Sequence, residues 1–275
     1  MYRTILVALD GSKNAERVLP YVEAALRGTK GQAVLLQVLP EGEHHPEAAA
    51  EAYLKVVRAR FVRLKFRADC EIARGDPAVV ILRAAEKRRA DLVAFTSHGE
   101  GGLAQWVFGS VAQKLLRGCA RPLLVARPLE GAPSRLKRIL VPLDGSVGSE
   151  ATLPHAAHLA RSTGATVELL HVVHPAGIEA GDSKLRTWLD REKVRMKARF
   201  SEIERSEPGL RFCQTIEDGD AAERIAARAG LAPGTVVVMG SHGRTGISRW
   251  VYGSVSEKLL QVARVPVLIA RHTAS

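Results

Sequence analysis

Gly240, Gly243, Gly253 and Ser254 are spaced G-x2-G-x9-G-S, and the residue types suggest what that spacing could hold. Without a Cβ, a glycine lets main chain approach a ligand closely. A helix that opens at Gly253-Ser254 would offer unpaired N–H groups and the positive end of its dipole, an anion site. Phosphates would lie there, with the Ser254 hydroxyl as a further donor, and a sugar would lie over Gly240 and Gly243. Asp144 closes an apolar run far upstream and could accept bonds from ribose hydroxyls. The same stretch occurs 144 residues earlier, where "TSHGEGGLAQWVFGS" (96–110) stands against "GSHGRTGISRWVYGS" (240–254). There Thr96 replaces the first glycine, while Asp10, Gly99, Gly109 and Ser110 are kept.

Each feature also has a structural reading. Ser254 with Glu257, and Ser110 with Gln113, fit capping boxes. Asp144-Gly145-Ser146 fits a turn and helix start. Trp106 and Trp250 read as packing anchors, and Phe108 and Tyr252 as core. His98 and His242 occupy matching places but have no carboxylate or nucleophile at a telling spacing, which speaks against a general base. His155 and His158 are three apart on a helix without a third ligand, and read as surface or partly buried residues rather than a metal site.

The elements that must position these residues are written twice. Residues 4–20 and 138–154 share 10 of 17 positions, and 97–125 and 241–269 share 14 of 29. The offset grows from 134 to 144, so ten residues separate the copies, in the second helical stretch and its flanks. "EGAPSR" (130–135) supplies a Gly/Pro break between them. In each copy apolar runs alternate with helical patterns. In the second, strands are expected at 138–143, 166–173, 211–217, 235–240 and 265–271. Helices are expected at 148–164, 183–206, 220–230 and 254–263. Such runs imply a parallel sheet buried on both faces. Right-handed crossovers then give a doubly wound α/β domain of five strands, whose ligands lie beyond the carboxyl ends of the strands where their order reverses.

Composition narrows the function classes. Hydrophobic residues make up 46% of the 275, enough for a core, yet no apolar run approaches the roughly 18 residues of a membrane span. The opening "MYRTILVALDGS" reads as strand and turn rather than a secretory signal. The three cysteines form no CxxC pair and suit a reducing cytoplasm. The net charge of +11 divides as +6 and +5 about residue 133. With no aromatic-interleaved basic stripe, that surplus points away from nucleic acid.

Asp after the first strand and G-x2-G-x9-G-[ST] after the fourth resemble the universal stress protein family. "GSHGRTGISRWVYGSVSEKLLQVARVPVLIAR" (240–271), with Pro266 in the last strand, resembles its C-terminal block almost throughout. The resemblance covers both halves and implies two repeated doubly wound five-stranded parallel-sheet domains, of the adenine-nucleotide-alpha-hydrolase-like or Rossmann-like kind. They would span 1–131 and 136–273 and pack as a pseudo-dimer through "RPLLVAR" and "VPVLIAR"; two chains could still form a homodimer. ATP-binding members hold adenosine between the first-strand Asp and the backbone after the second strand, and phosphates at the Gly-[ST] helix start. Carried over, Pro142 would join the cofactor-binding set, Asp144 would face ribose, Val172 the adenine edge, Gly240 and Gly243 ribose and phosphate, and Gly253, Ser254 and Val255 the phosphates. The first copy would use Asp10, Val38, Gly99, Gly109, Ser110 and Val111. Mg²⁺ or Mn²⁺ would arrive with the triphosphate.

The resemblance therefore implies a cytoplasmic, ATP-binding stress-response protein whose occupancy alters conformation or association with an unknown protein partner. The second copy would be the main site. Thr96 weakens the first site if its position needs positive φ, where a β-branched residue is strained, or close approach of a sugar. Alternatives are a nucleotide-free scaffold or chaperone-like protein, and a slow ATP hydrolase in which Arg244 and Arg249 contact phosphate. An adenylating enzyme would need an SGGxDS-type loop after the first strand, where the chain has "LDGSKN" and "LDGSVG".

Overall fold

The computed structural model describes residues 2–42, 47–97, 109–127, 135–173, 183–241 and 253–271. Strands β1 (Thr4–Leu9), β2 (Gln32–Leu39), β3 (Arg67–Arg74), β4 (Leu92–Thr96) and β5 (Leu123–Ala126) belong to the first half. Strands β6 (Arg138–Pro142), β7 (Thr166–Val173), β8 (Phe212–Asp218), β9 (Thr235–Gly240) and β10 (Val267–Ala270) repeat them in the second. All ten join one sheet in the order β3-β2-β1-β4-β5-β10-β9-β6-β7-β8. Within each half every described pair is parallel. The order reverses between β1 and β4, and again between β6 and β9, which creates the two crevices.

The strands are apolar because helices cover both faces. Ile5, Leu6 and Val7, consecutive on β1, are all fully buried. The first half carries α1 (Leu19–Leu26), α2 (Glu47–Arg63), α3 (Pro77–Lys87) and α4 (Ser110–Gly118). The second carries α5 (Val147–Glu150), α6 (Leu153–Thr163), α7 (Ser183–Ser206), α8 (Ala221–Gly230) and α9 (Ser254–Val262). On each face the buried side chains form one cluster that runs through both halves.

The single helix expected over 148–164 is two. Pro154 falls in the first turn of α6, where its missing N–H costs nothing, so the chain restarts there after the short α5. Pro20 does the same in α1, after a 3-10 turn at Ala15–Val18. The length difference between the copies falls largely in one helix: α7 has 24 residues and α2 has 17.

The halves meet through β5 and β10, which pair antiparallel with Leu124 opposite Leu268. The arginine that follows each of these strands reaches across. Arg127 donates to the carbonyls of Leu260 and Gln261 at the end of α9, and Arg271 donates to the Leu116 carbonyl near the end of α4. These carbonyls lack partners within their own helices, so each half closes a helix of the other. The tandem halves thus form an intramolecular pseudo-dimer. Helices α1 and α6 also pack together. There the Tyr2 hydroxyl and His155 Nδ1 share a hydrogen bond of 2.6 Å, and His158 Nε2 lies 2.7 Å from the Ala25 carbonyl oxygen. Both histidines are partly buried, as their spacing suggested.

Candidate functional site

In each half the crevice is built from the ends of three strands and the start of one helix. At the end of the first strand, Asp144 Oδ1 accepts from the Ser146 N–H at 3.0 Å and the Ser146 hydroxyl at 2.6 Å. Asp10 Oδ1 accepts from the Ser12 N–H at 2.9 Å. Between carboxylate and serine stand Gly145 and Gly11, with φ of +80° and +91°, a region costly for any side chain. Ser146 then caps α5, accepting from the Ser149 N–H. The turn-and-helix-start reading is therefore correct in geometry.

The fourth strand and the following helix are joined by one main-chain bond. Gly253 N–H donates to the Ser241 carbonyl at 2.8 Å, and Gly109 N–H donates to the Ser97 carbonyl at 3.1 Å. That bond sets the N-terminus of α9 against the end of β9, and that of α4 against the end of β4. The N-cap residues are Gly253 and Gly109, with no side-chain cap, and Ser254 and Ser110 are the first helical residues. The capping boxes expected for those serines are not formed. The helices begin one residue too early, so each serine is the first helical residue and not the cap that precedes it. Among the described residues the first-turn N–H groups thus have no N-cap side chain as acceptor.

In the first half these pieces enclose a cleft of about 250 Å³. Asp10, Val38, Gly109, Ser110 and Val111 all line it, together with Thr96. Its floor is apolar, with Leu36, Ile81 and Phe95 beside Pro77. Sequence reasoning missed these four; the only signal was the pair Pro77 and Ile81, four apart on α3. In the second half Pro142 ends β6, Val172 is the penultimate residue of β7, Gly240 ends β9, and Val255 is the second residue of α9. Ser256, also missed, is buried and donates to the Gly240 carbonyl at 3.0 Å, fixing that strand end to α9. Ala112 holds its place in the first half. Gly99, Gly243, His98, His242, Trp106, Trp250, Phe108, Tyr252, Arg244 and Arg249 lie outside the described residues.

Thr96 and Gly240 both have ordinary negative-φ backbone. Strain at positive φ is therefore not what separates the copies; what remains is the bulk of Thr96 in the cleft wall. Two equivalent ion pairs hold the helices that carry the cleft. Asp76 caps α3 and pairs with Lys114 of α4 at 2.7 Å, while Asp220 caps α8 and pairs with Lys258 of α9 at 3.1 Å. These bonds hold both carboxyl groups below their usual range.

A carboxylate turn and a helix start lie at the switch point of a doubly wound α/β sheet in each half, and the strand between them ends in Gly240 in the second half and Thr96 in the first. The sequence pattern of the universal stress protein family matches residues 1–127 and again 135–271. The chain belongs to that family. It is similar to a universal stress protein of Mycolicibacterium smegmatis, with 30% identity over 191 residues. That match takes in 67% of this chain and 63% of the relative's length. Among solved structures, a universal stress protein from Archaeoglobus fulgidus aligns with a TM-score of 0.69 at 22% identity, covering 98% of this chain and 96% of that one. A protein of unknown function from Pseudomonas aeruginosa aligns with a TM-score of 0.76 at 18% identity, covering 98% and 92%. Among the described residues no helix is long and apolar enough to cross a membrane, and no group of three or more His, Cys, Asp or Glu could hold a metal.

Proposed function

We propose that the chain binds ATP in the crevices at the two switch points, more tightly in the second half, and that occupancy alters its conformation or its association with another protein in a stress response. The observation that carries this reading is the strand-to-helix closure, Gly253 N–H to the Ser241 carbonyl at 2.8 Å. It sets a helix N-terminus without a side-chain cap at the β9 end, the strand that pairs with β6, which ends two residues before Asp144. Phosphates would take the first-turn N–H groups of α9 and the Ser254 hydroxyl. Ribose would take Asp144, beside Pro142, and the adenine edge would meet Val172. The apolar floor beneath the first-half cleft suits a flat heterocycle. Mg²⁺ or Mn²⁺ would be held chiefly by phosphate oxygens and water, because a lone aspartate in each turn makes no carboxylate cage.

The chain acts in this reading as a binding module. Denaturing the purified protein and identifying the released nucleotide, followed by titration with ATP and Mg²⁺, tests it. The expected result is ATP binding at or below millimolar concentration, weakened by Asp144→Ala. Absence of binding at millimolar ATP would leave the nucleotide-free scaffold. Sustained turnover of about 1 per second or faster would make the protein an enzyme instead.

A further inference from the structure

The turn that carries Asp144 is braced from behind by groups the first half does not repeat. Arg195, on α7, lies across it: its guanidinium nitrogens are 3.0 and 3.2 Å from where a Cβ on Gly145 would be. Glu192 fixes that guanidinium through two hydrogen bonds, 2.8 Å to Nε and 2.7 Å to Nη2. Arg195 also feels the charges of Asp144 and Glu150. Glu192 is itself buried, and its carboxylate lies 3.6 Å from Nε2 of the buried His171 on β7. The other ring nitrogen, Nδ1, sits 2.7 Å from the carbonyl of Leu143, the residue before Asp144. Three elements thus close a ring around one turn.

The first half has Gln37 where the second has His171. Its amide nitrogen lies 3.3 Å from the Cβ position of Gly11. Its Oε1 and the hydroxyl of Tyr53 on α2 are buried without a hydrogen-bond partner. The backing of the Asp10 turn is therefore neutral, whereas that of the Asp144 turn carries the Arg195–Glu192 ion pair.

We propose that Arg195, held by Glu192, is a positioning residue that holds the Asp144 turn in its ribose-accepting geometry and makes the second site the more ribose-selective of the two. This rests on the ATP reading above. It also adds a source of inequality between the sites that is independent of Thr96. Arg195 touches the turn itself, so its loss is expected to act on the ribose hydroxyls and not on base or phosphate.

The test compares ATP with 2′,3′-dideoxy-ATP, bound to the full chain in an Asp10→Ala background so that ribose selectivity reports Asp144. Arg195→Met is expected to reduce the preference for ATP by roughly tenfold, about the worth of one charge-assisted hydrogen bond, with dideoxy binding unchanged. Glu192→Gln should act in the same direction. Arg195→Lys should retain part of the preference, and Arg191→Met, an exposed charge on the same helix, should leave it intact. A preference unchanged in Arg195→Met, or an equal loss for both ligands, overturns the brace while the nucleotide reading stands. A parent protein that binds neither ligand overturns both.

Discussion

At the residue scale, the two crevices pose one controlled comparison. Neither Thr96 nor Gly240 has positive φ, and Thr96 adds a Cβ with its methyl and hydroxyl to the wall of the first cleft. Thr96→Gly is expected to strengthen ATP binding to the first half, and Gly240→Thr to weaken the second, each by several-fold, on the order of 1 kcal/mol. Calorimetric titration of both variants would check this; an unchanged first site would move the cause to Gln37 and its surroundings. The strand-end aspartates and the Gly-Ser helix starts of both halves were legible in the sequence because the repeat printed each of these short motifs twice. Ser256 and the apolar floor were not, since a buried serine or phenylalanine carries no mark until the fold assigns it a neighbour. The capping boxes misled for a simple reason: the motif is satisfied by sequence spacing, while the helix start is set by the Gly253–Ser241 bond, one residue away.

At the element scale, strands and helices of the second copy could be placed from apolar runs and helical periodicity, including all of α7. The break between α5 and α6 was missed because Pro154 is read equally as a first-turn residue or as part of a continuous helix until the turn before it is seen. Less legible was the ion network at the other end of the strands. Glu168 on β7 is buried and bonded to Arg138 at 3.0 Å, Arg228 at 2.6 Å and Thr215 at 2.8 Å. Val34 fills the same place in the first half. Glu168→Leu should destabilise the chain by about 3 kcal/mol, measured by urea unfolding, since it strands Arg138 in a mostly buried position. A stabilised variant would show that the network is dispensable, as buried ion pairs sometimes are. The α1–α6 contact predicts a pH effect. Burial, with a smaller contribution from His158, pushes His155 down from 6.5 to about 4. The unfolded chain then takes up a proton at higher pH than the folded one, so stability is full above about 6.5, falls as pH drops, and levels off below about 4. Thermal melts across that window should show the loss, and His155→Phe should flatten it.

At the scale of the whole molecule, the pairing of the last strands was legible because both copies end in matching apolar runs. The reciprocal arginines were not, because Arg127 and Arg271 look like ordinary strand-end charges until the partner helix is in place. Their bonds and the shared cores predict that halves 1–131 and 136–273, produced as separate chains in one cell, will co-purify in equal amounts. Arg127→Ala with Arg271→Ala should loosen that association, read by analytical ultracentrifugation. Halves that run separately would show that the covalent connection, and not the β5–β10 joint, keeps them together.

Because β5 and β10 run in opposite directions, the two crevices open toward opposite poles of the sheet. A loaded molecule therefore presents its cargoes back to back. A flat partner docking on one pole can sense only one of them, and any partner that senses both must wrap around the protein or arrive in two copies.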